Sequence, residues 1–338
     1  LTTARRRTVR TQLASGHIDL VVGTQALVQE GVDFPSLGLA IVDEQHRFGV
    51  LQRGGLRQKG YNPHVLVMTA TPIPRSLALT IYGDLDLSVI DKLPPGRQPV
   101  STHVFSANDI TEVYARLRGE VQKGRQAYVI CPLISESDKL AARAAKDEYE
   151  HLSEDIFPDL PLGLLHGAMR PAEKDAVMRR FRDGELAILV STTVVEVGID
   201  VPNATVMVVL GAERFGLSQL HQLRGRVGRG SEQSYCYLVG DTEAPEATRR
   251  LDALASTHDG FELAKQDLEM RGAGDFLGTQ QSGLPPLKVA KLTDFSTVEK
   301  ARSEAETLVR DERLPDDPMY ERMRERVAAL WRQNVERS

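Results

Sequence analysis

Short runs of valine, isoleucine and leucine, separated by amphipathic stretches, set the rhythm of the chain as far as about Asp241. Eight of these runs read as strands: Ile18–Val22, Leu39–Val42, Val65–Thr69, Ala127–Cys131, Leu162–Leu165, Ala187–Ser191, Val206–Leu210 and Tyr235–Val239. They are continuously apolar rather than alternating, the pattern of parallel strands buried on both faces. Helical spacing recurs between them. Pro171 opens one such stretch, Val177 and Phe181 fall four apart on one face, and Gly184 stops it. Strand and helix alternating in this way predict an α/β fold with parallel sheets.

The run Leu93-Pro94-Pro95-Gly96-Arg97-Gln98-Pro99 interrupts the rhythm, because neither helix nor sheet continues through it. It divides the chain into a short α/β part over 1–98 and a fuller one over 99–242. Residues 243–338 carry no strand pattern and read as helical. The last stretch places Tyr320, Met323, Val327 and Trp331 on one helix face, which reads as a packing stripe.

Composition narrows the class. Of 338 residues, 41% are hydrophobic and 26% charged, a balance that forms cores, whereas 5% aromatics disfavours an aromatic-rich β-sandwich. No apolar run approaches the ~20 residues of a membrane span. No signal peptide opens the sequence; it starts at Leu1, and Arg5-Arg6-Arg7 has no apolar region behind it, a start expected of a piece of something longer. The two cysteines, Cys131 and Cys236, each lie in an apolar run and read as buried thiols of a reducing, cytoplasmic protein, too few for a zinc site or a disulfide framework. The net charge of −5 argues against an overall basic surface, yet the stretch from Arg214 to Arg229 holds four arginines and no acid.

Four groups carry candidate chemistry. The strand Leu39–Val42 delivers Asp43, Glu44 and His46 at its C-terminal end, where ligands of parallel sheets bind. One carboxylate there suits a Mg²⁺ ion and the other an attacking water in nucleotide hydrolysis. Thr69 and Thr71 follow the next apolar strand in Thr69-Ala70-Thr71-Pro72; alone, this reads as a turn and helix cap. The run from Gln222 to Gly230 sets Arg226 and Arg229 near one helix face with Gly225 and Gly228 between them. Guanidinium forks match phosphate oxygens, and the glycines allow close approach. Finally, Ser191-Thr192-Thr193 ends an apolar strand with hydroxyls suited to a nucleic-acid phosphate, and Gly198-Ile199-Asp200 follows, within reach of a nucleotide ribose.

Taken along the chain, in order and spacing, the four groups resemble motifs II, III, V and VI of the superfamily 2 helicases, the Ser191 group being V and the arginine run VI. By the same resemblance Gly23-Thr24 looks like motif Ib and His166-Gly167 like motif IV, both contacts to DNA. The resemblance implies two RecA-like parallel-sheet domains, the first incomplete, followed by a helical C-terminal region. It implies ATP and Mg²⁺ as cofactors, Asp43 as the metal ligand, Glu44 as general base, and Arg226 and Arg229 as transition-state stabilisers. Gly198, Asp200 and Gln222 would bind the nucleotide, and His46, Thr69 and Thr71 would couple that site to DNA held at Gly23, Thr24, His166, Gly167 and Thr192. The runs Asp43–Val50, Met68–Arg75 and Asp91–Arg97 are similar to the RecG group. Gln266 to Gly283 resembles the translocation hairpin that this group shares with transcription-repair coupling factors, with Arg271 and Gln280 as its coupling residues. That group remodels stalled forks and Holliday junctions in recombination and repair. Branched double-stranded DNA is therefore the implied partner, with single-strand-binding protein as a second. A monomer in the bacterial cytoplasm, associated with the nucleoid and with no membrane, is the implied setting.

The chain departs from the pattern at one place: it contains no Gly-Lys dipeptide, hence no G-x-x-x-x-G-K-[ST] loop to cradle phosphates. The expectation is a chain lacking both that loop and the family's wedge domain, with no ATPase activity of its own and a first part less stable than the second. A coupling translocase acting on RNA polymerase, and a DNA-binding module without catalysis, remain the alternatives at this stage.

Overall fold

The computed structural model describes the chain apart from residues 1, 30, 44–62, 70–85, 91, 93, 133–137, 193–199, 242–243, 272–294, 311–316 and 336–338. The chain packs as two compact units, the first ending at Pro72 and the second beginning at Ile73.

In the first unit, α1 (Thr3–Ala14) is capped by the Thr2 hydroxyl, which accepts from the Arg5 backbone N–H at 3.4 Å. Strands β1 (Leu39–Val42) and β2 (His64–Val67) pair in parallel, Leu39 against His64 and Val42 against Val67. Their burial alternates: Ala40 and Val42 point inward, while Leu39 and Ile41 remain 55% and 57% exposed. The expectation of two buried faces therefore fails in this unit. Ile18–Val22 also departs from expectation, forming no strand and leaving Leu20 and Val22 exposed. A strand exists through the partner that satisfies its N–H and C=O groups, and among the described residues nothing pairs with this run.

The second unit is built on six parallel strands: β3 (Ser101–Ser106), β4 (Gln126–Ile130), β5 (Leu162–Leu165), β6 (Ile188–Ser191), β7 (Ala204–Leu210) and β8 (Tyr235–Gly240). Their order across the sheet is β3-β8-β7-β4-β6-β5. The central strands β4 and β6 are buried along their whole length, as their apolar runs require. One face is covered by α2 (Ile110–Gln122) and α3 (Asp138–His151) through Val113, Leu117 and Ala145. The other is covered by α4 (Pro171–Arg182), α5 (Leu217–Arg224), α6 (Pro245–Ser256) and α7 (Gly260–Arg271), which bring Phe181, Leu220, Leu254 and Leu263 into a single core. Cys131 and Cys236 are buried within these two layers, and burial pushes both thiols up to about 12.

Helix α4 begins and ends where its sequence signals lie. Pro171 occupies the first turn, the Glu173 carboxylate accepts from the Arg170 N–H at 2.9 Å, and Gly184 takes φ +80° just past the end. Strand β3 is the one element of the sheet that the apolar pattern does not predict. Its residues Ser-Thr-His-Val-Phe-Ser are half-buried throughout, because an edge strand pairs on one side only. Beyond α7 the chain is helical in α8 (Phe295–Arg310) and α9 (Glu321–Val335). The stripe expected there packs only at its start: Tyr320 and Met323 are half-buried and Val327 is exposed, while the Trp331 side chain lies outside the described residues.

Candidate functional site

The predicted site residues of the second unit separate onto opposite edges of its sheet. At the C-terminal edge, β5 and β6 are neighbours, so His166 and Thr192, each the residue after its strand, come together, and the Thr192 N–H donates to Leu165 O at 3.2 Å. Thr192 is only 1% exposed, which leaves His166 and Gly167 as the accessible pair. The Gly167 carbonyl accepts from Lys174 Nζ at 2.7 Å. Burial first and Lys174 second hold the His166 imidazole below its ordinary pKa, so it is neutral near neutral pH. Its buried Nδ1 makes no hydrogen bond among the described residues.

At the N-terminal edge stand Asp200, ahead of β7, and the turn that follows α5. This helix runs antiparallel to the strands, anchored in the core by Leu217, Leu220 and Leu223, so its C-terminus arrives at the strands' beginnings. The helix ends at Arg224. Arg226 and Arg229 therefore lie in the succeeding turn and not on a helix face, which corrects the sequence expectation. The last turn tightens there, the Arg226 N–H donating to Leu223 O at 3.0 Å and the Val227 N–H to Arg224 O at 3.3 Å, and Gly228 then turns the chain away at φ +73°. The glycines also answer to a different need from the one expected. A Cβ on Gly228 would lie 2.7 Å from Val100 Cγ2, and one on Gly230 would lie 2.8 Å from the Pro202 carbonyl oxygen, so the close approach is by the protein's own chain. At Gly225 a Cβ would make ordinary contacts only.

This turn gathers charge around one spot. Arg229 Nε donates to Gly225 O at 3.2 Å, and its Nη1 lies 3.4 Å from Asp200 Oδ1. The charges of Arg226, Arg229 and Asp200 all reach the phenol of Tyr128 in β4, which burial pushes up to about 12, the two arginines acting against that rise. An ion pair as exposed as Arg229–Asp200 contributes only about 0–1 kcal/mol. Arg229 can thus exchange its carboxylate partner for a more highly charged anion at little cost.

Arg224, given no role from sequence, is a buried charge held on three sides. It is 4% exposed; Nη1 donates to Leu254 O at 2.7 Å and to Thr257 O at 2.9 Å, and Nη2 lies 3.1 Å from His221 Nδ1. The signal was available: 217, 220 and 224 follow the helical repeat of the buried stripe, so an arginine in that row has to find partners inside. Near the other end of α5, Ser218 Oγ donates to the buried Asp267 carboxylate of α7 at 3.4 Å. Helix α5 is therefore tied at both ends to the helical segment that leads to Arg271.

His221 adds a pH dependence. Burial foremost, then the Arg224 charge, lowers its pKa to about 4 from 6.5. Because the folded value is depressed, the unfolded chain takes up the proton first as pH falls. Stability present above about pH 6.5 is lost between there and about pH 4, by about 3 kcal/mol at most. Urea unfolding of wild type and His221→Asn at about pH 7 and about pH 4.5 checks this: the gap between the two pH values is expected to shrink in the variant.

In the first unit, Asp43 and Thr69 lie beyond the C-terminal ends of β1 and β2, adjacent strands held in register there by Met68 N–H donating to Val42 O at 2.8 Å. Both residues are exposed. Gly23 and Thr24 are exposed too, and Thr24 O accepts from the Leu27 N–H at 3.0 Å. Glu44, His46, Thr71, Gly198 and Gln280 lie outside the described residues, as does the Arg271 side chain. Gln222 is half-buried on α5. Among the described residues no cluster of His, Cys, Asp and Glu forms a metal cage, and no helix is long and apolar enough to cross a membrane.

The sequence of the second unit matches the model of the helicase conserved C-terminal domain over residues 108–231, from the end of β3 to the arginine turn. The second unit thus has the parallel-sheet fold of a helicase C-terminal domain. Residues 257–338 match the C-terminal part of domain 3 of ATP-dependent DNA helicase RecG. A RecG from Synechocystis is 55% identical over 320 residues, 94% of this chain and 38% of that protein; one from Bacillus subtilis is 50% identical over 324 residues, 96% of this chain and 48% of that protein. A solved structure of RecG bound to a three-way DNA junction aligns with a TM-score of 0.65 and 47% identity, covering 88% of this chain and 38% of that one. The chain belongs to the RecG family. It spans less than half the length of these curated relatives.

Proposed function

We propose that the protein acts in ATP-driven translocation on branched duplex DNA, remodelling forks and junctions. The observation that carries this reading is the gathering of Arg226, Arg229 and Asp200 at one sheet edge, the two arginines in the turn directly after a helix whose buried Arg224 is bonded to the α6–α7 junction. Arginines that stabilise a phosphoryl group and a helical segment that moves DNA would then share one rigid element. In this reading Arg226 and Arg229 stabilise charge on the transferring phosphoryl group. Asp200, Gly198 and Gln222 hold the nucleotide. Asp43 is an exposed carboxylate, a hard oxygen donor that suits Mg²⁺, an ion usually held by one or two carboxylates together with substrate phosphates. Glu44 takes the proton of the attacking water. His46, Thr69, Thr71, Arg271 and Gln280 relay the state of that site, and Gly23, Thr24, His166 and Gly167 touch the DNA backbone, with Thr192 beneath them.

These residues hold no Gly-Lys dipeptide, and without a phosphate cradle the 338-residue chain by itself is expected to hydrolyse no ATP. The test therefore uses the complete product of the gene. DNA-stimulated ATP hydrolysis is expected to fall by about 10²–10⁴-fold in Glu44→Gln. A variant as fast as wild type, or a complete product that no branched DNA stimulates, would sink the reading.

A further inference from the structure

The segment leading into β3 is stitched to the arginine turn residue by residue. Pro94-Pro95-Gly96-Arg97 forms a turn, with the Arg97 N–H donating to Pro94 O at 3.2 Å and Gly96 at φ +81°. Proline second and a left-handed glycine third is the arrangement of a type II turn, which sets the direction of the chain firmly. Arg97 leaves that turn half-buried, and its Nε donates to Gly228 O at 2.6 Å. Next along, Gln98 Nε2 donates to Ser231 O at 3.1 Å, and Gln233 Nε2 donates back to Pro99 O at 3.0 Å. Val100 fills the space beside the Cα of Gly228, and Ser101 N–H opens the β3–β8 ladder on Ser234 O at 2.9 Å.

The bond from Arg97 differs from the others in its target. Gly228 is buried and sits between Arg226 and Arg229, and its left-handed φ sets the direction in which both side chains leave the backbone. A short bond to that residue's carbonyl restrains the peptide unit joining Gly228 to Arg229. The remaining bonds, from the side chains of exposed Gln98 and half-buried Gln233 and from the Ser101 N–H, reach the backbone of Ser231, Pro99 and Ser234. They stitch the segment down without reaching the arginines.

We propose that Arg97 is a positioning residue for the Arg226–Arg229 turn: its Nε–H fixes the Gly228 peptide so that both guanidinium groups are held ready at the nucleotide edge. This rests on the reading of those arginines given under Proposed function. The role belongs to the donor at Nε and not to the positive charge, and that distinction makes it testable. Glutamine carries its Nε2 the same number of bonds from Cα as arginine carries Nε, so Arg97→Gln keeps a donor there and removes the charge. Arg97→Met reaches as far as the glutamine and removes both.

Two measurements decide it. In the 338-residue chain, amide hydrogen exchange over 226–230 is expected to quicken at least tenfold in Arg97→Met and to stay near wild type in Arg97→Gln. Unchanged exchange in Arg97→Met overturns the proposal. In the complete gene product, Arg97→Met is expected to lower kcat for DNA-stimulated ATP hydrolysis by roughly ten- to a hundredfold, as a displacement of about 1 Å at a reacting group does. The DNA concentration for half-stimulation should stay unchanged, and Arg97→Gln should recover most of the rate. If Arg97→Gln falls as far as Arg97→Met, or half-stimulation shifts instead of kcat, the charge acts on a ligand directly and the proposal is wrong. Quickened exchange with unaltered kcat overturns it as well. Arg229→Ala run in parallel keeps the two readings apart: a variant as fast as wild type there removes the arginine assignment itself, whatever Arg97 does.

Discussion

Arg229→Ala, introduced into the complete gene product, is expected to lower DNA-stimulated ATP turnover by about 10³-fold or more, within the 10³–10⁵ span of an arginine that stabilises phosphoryl transfer. Folding should be nearly unaffected. The side chain is 29% exposed and its ion pair with Asp200 spans 3.4 Å, so its loss is expected to change unfolding free energy by no more than about 1 kcal/mol. This large loss of rate with little loss of stability distinguishes a catalytic arginine from a structural one. Arg229→Lys should recover little, because a single ammonium cannot reproduce the planar fork that spans two phosphate oxygens. Steady-state ATP hydrolysis at saturating DNA, set beside urea unfolding of the same variants, gives both numbers. A variant retaining more than a tenth of the wild-type rate would remove Arg229 from this role.

The opposite profile is expected five residues earlier. Arg224→Met should destabilise the second unit by about 3–5 kcal/mol, the cost of removing one partner from a buried charged network. The guanidinium is almost wholly buried, and burial lowers its pKa, yet arginine stays charged in proteins. Its charge is met by two backbone carbonyls and by His221 Nδ1. Methionine fills much of the volume but leaves Leu254 O and Thr257 O without a donor in an apolar layer, and each such group costs about 1–3 kcal/mol. Lysine offers one point of charge where three acceptors are arranged around a fork. Urea unfolding of the 338-residue chain at neutral pH measures the effect; a loss under about 1 kcal/mol would mean that water reaches those carbonyls once the side chain is gone.

The sequence made most of the second unit legible, and for a definite reason. Its central strands are buried on both faces, so apolar composition alone marks them, and Gln126–Ile130, Ile188–Ser191 and Ala204–Leu210 fall within a residue or two of the predicted runs. Edges are where the pattern fails. Ser101–Ser106 is a strand without an apolar run, because β8 supplies its hydrogen bonds on one side and solvent the rest. Ile18–Val22 is an apolar run without a strand, because among the described residues no neighbour bonds to it. The candidate site divides in the same way. Residue types and spacing marked out the arginines, the acids and the hydroxyls. Whether α5 continued through Arg226 depended on the tightening of its last turn into i→i−3 bonds, which residue types in that run do not spell out. The structural work of Arg224 was hidden in a motif read wholly for its chemistry.

The separation of the site residues onto opposite sheet edges has a mechanical consequence. Strand β7, with seven residues at about 3.3 Å each, spans roughly 20 Å between the edge of Asp200 and the edge of His166. Between them lie strands packed on both faces in a close-packed core of low compressibility. Such a sheet behaves as a stiff plate and not as a spring. A displacement imposed at one edge is therefore expected at the far edge as motion of the whole plate.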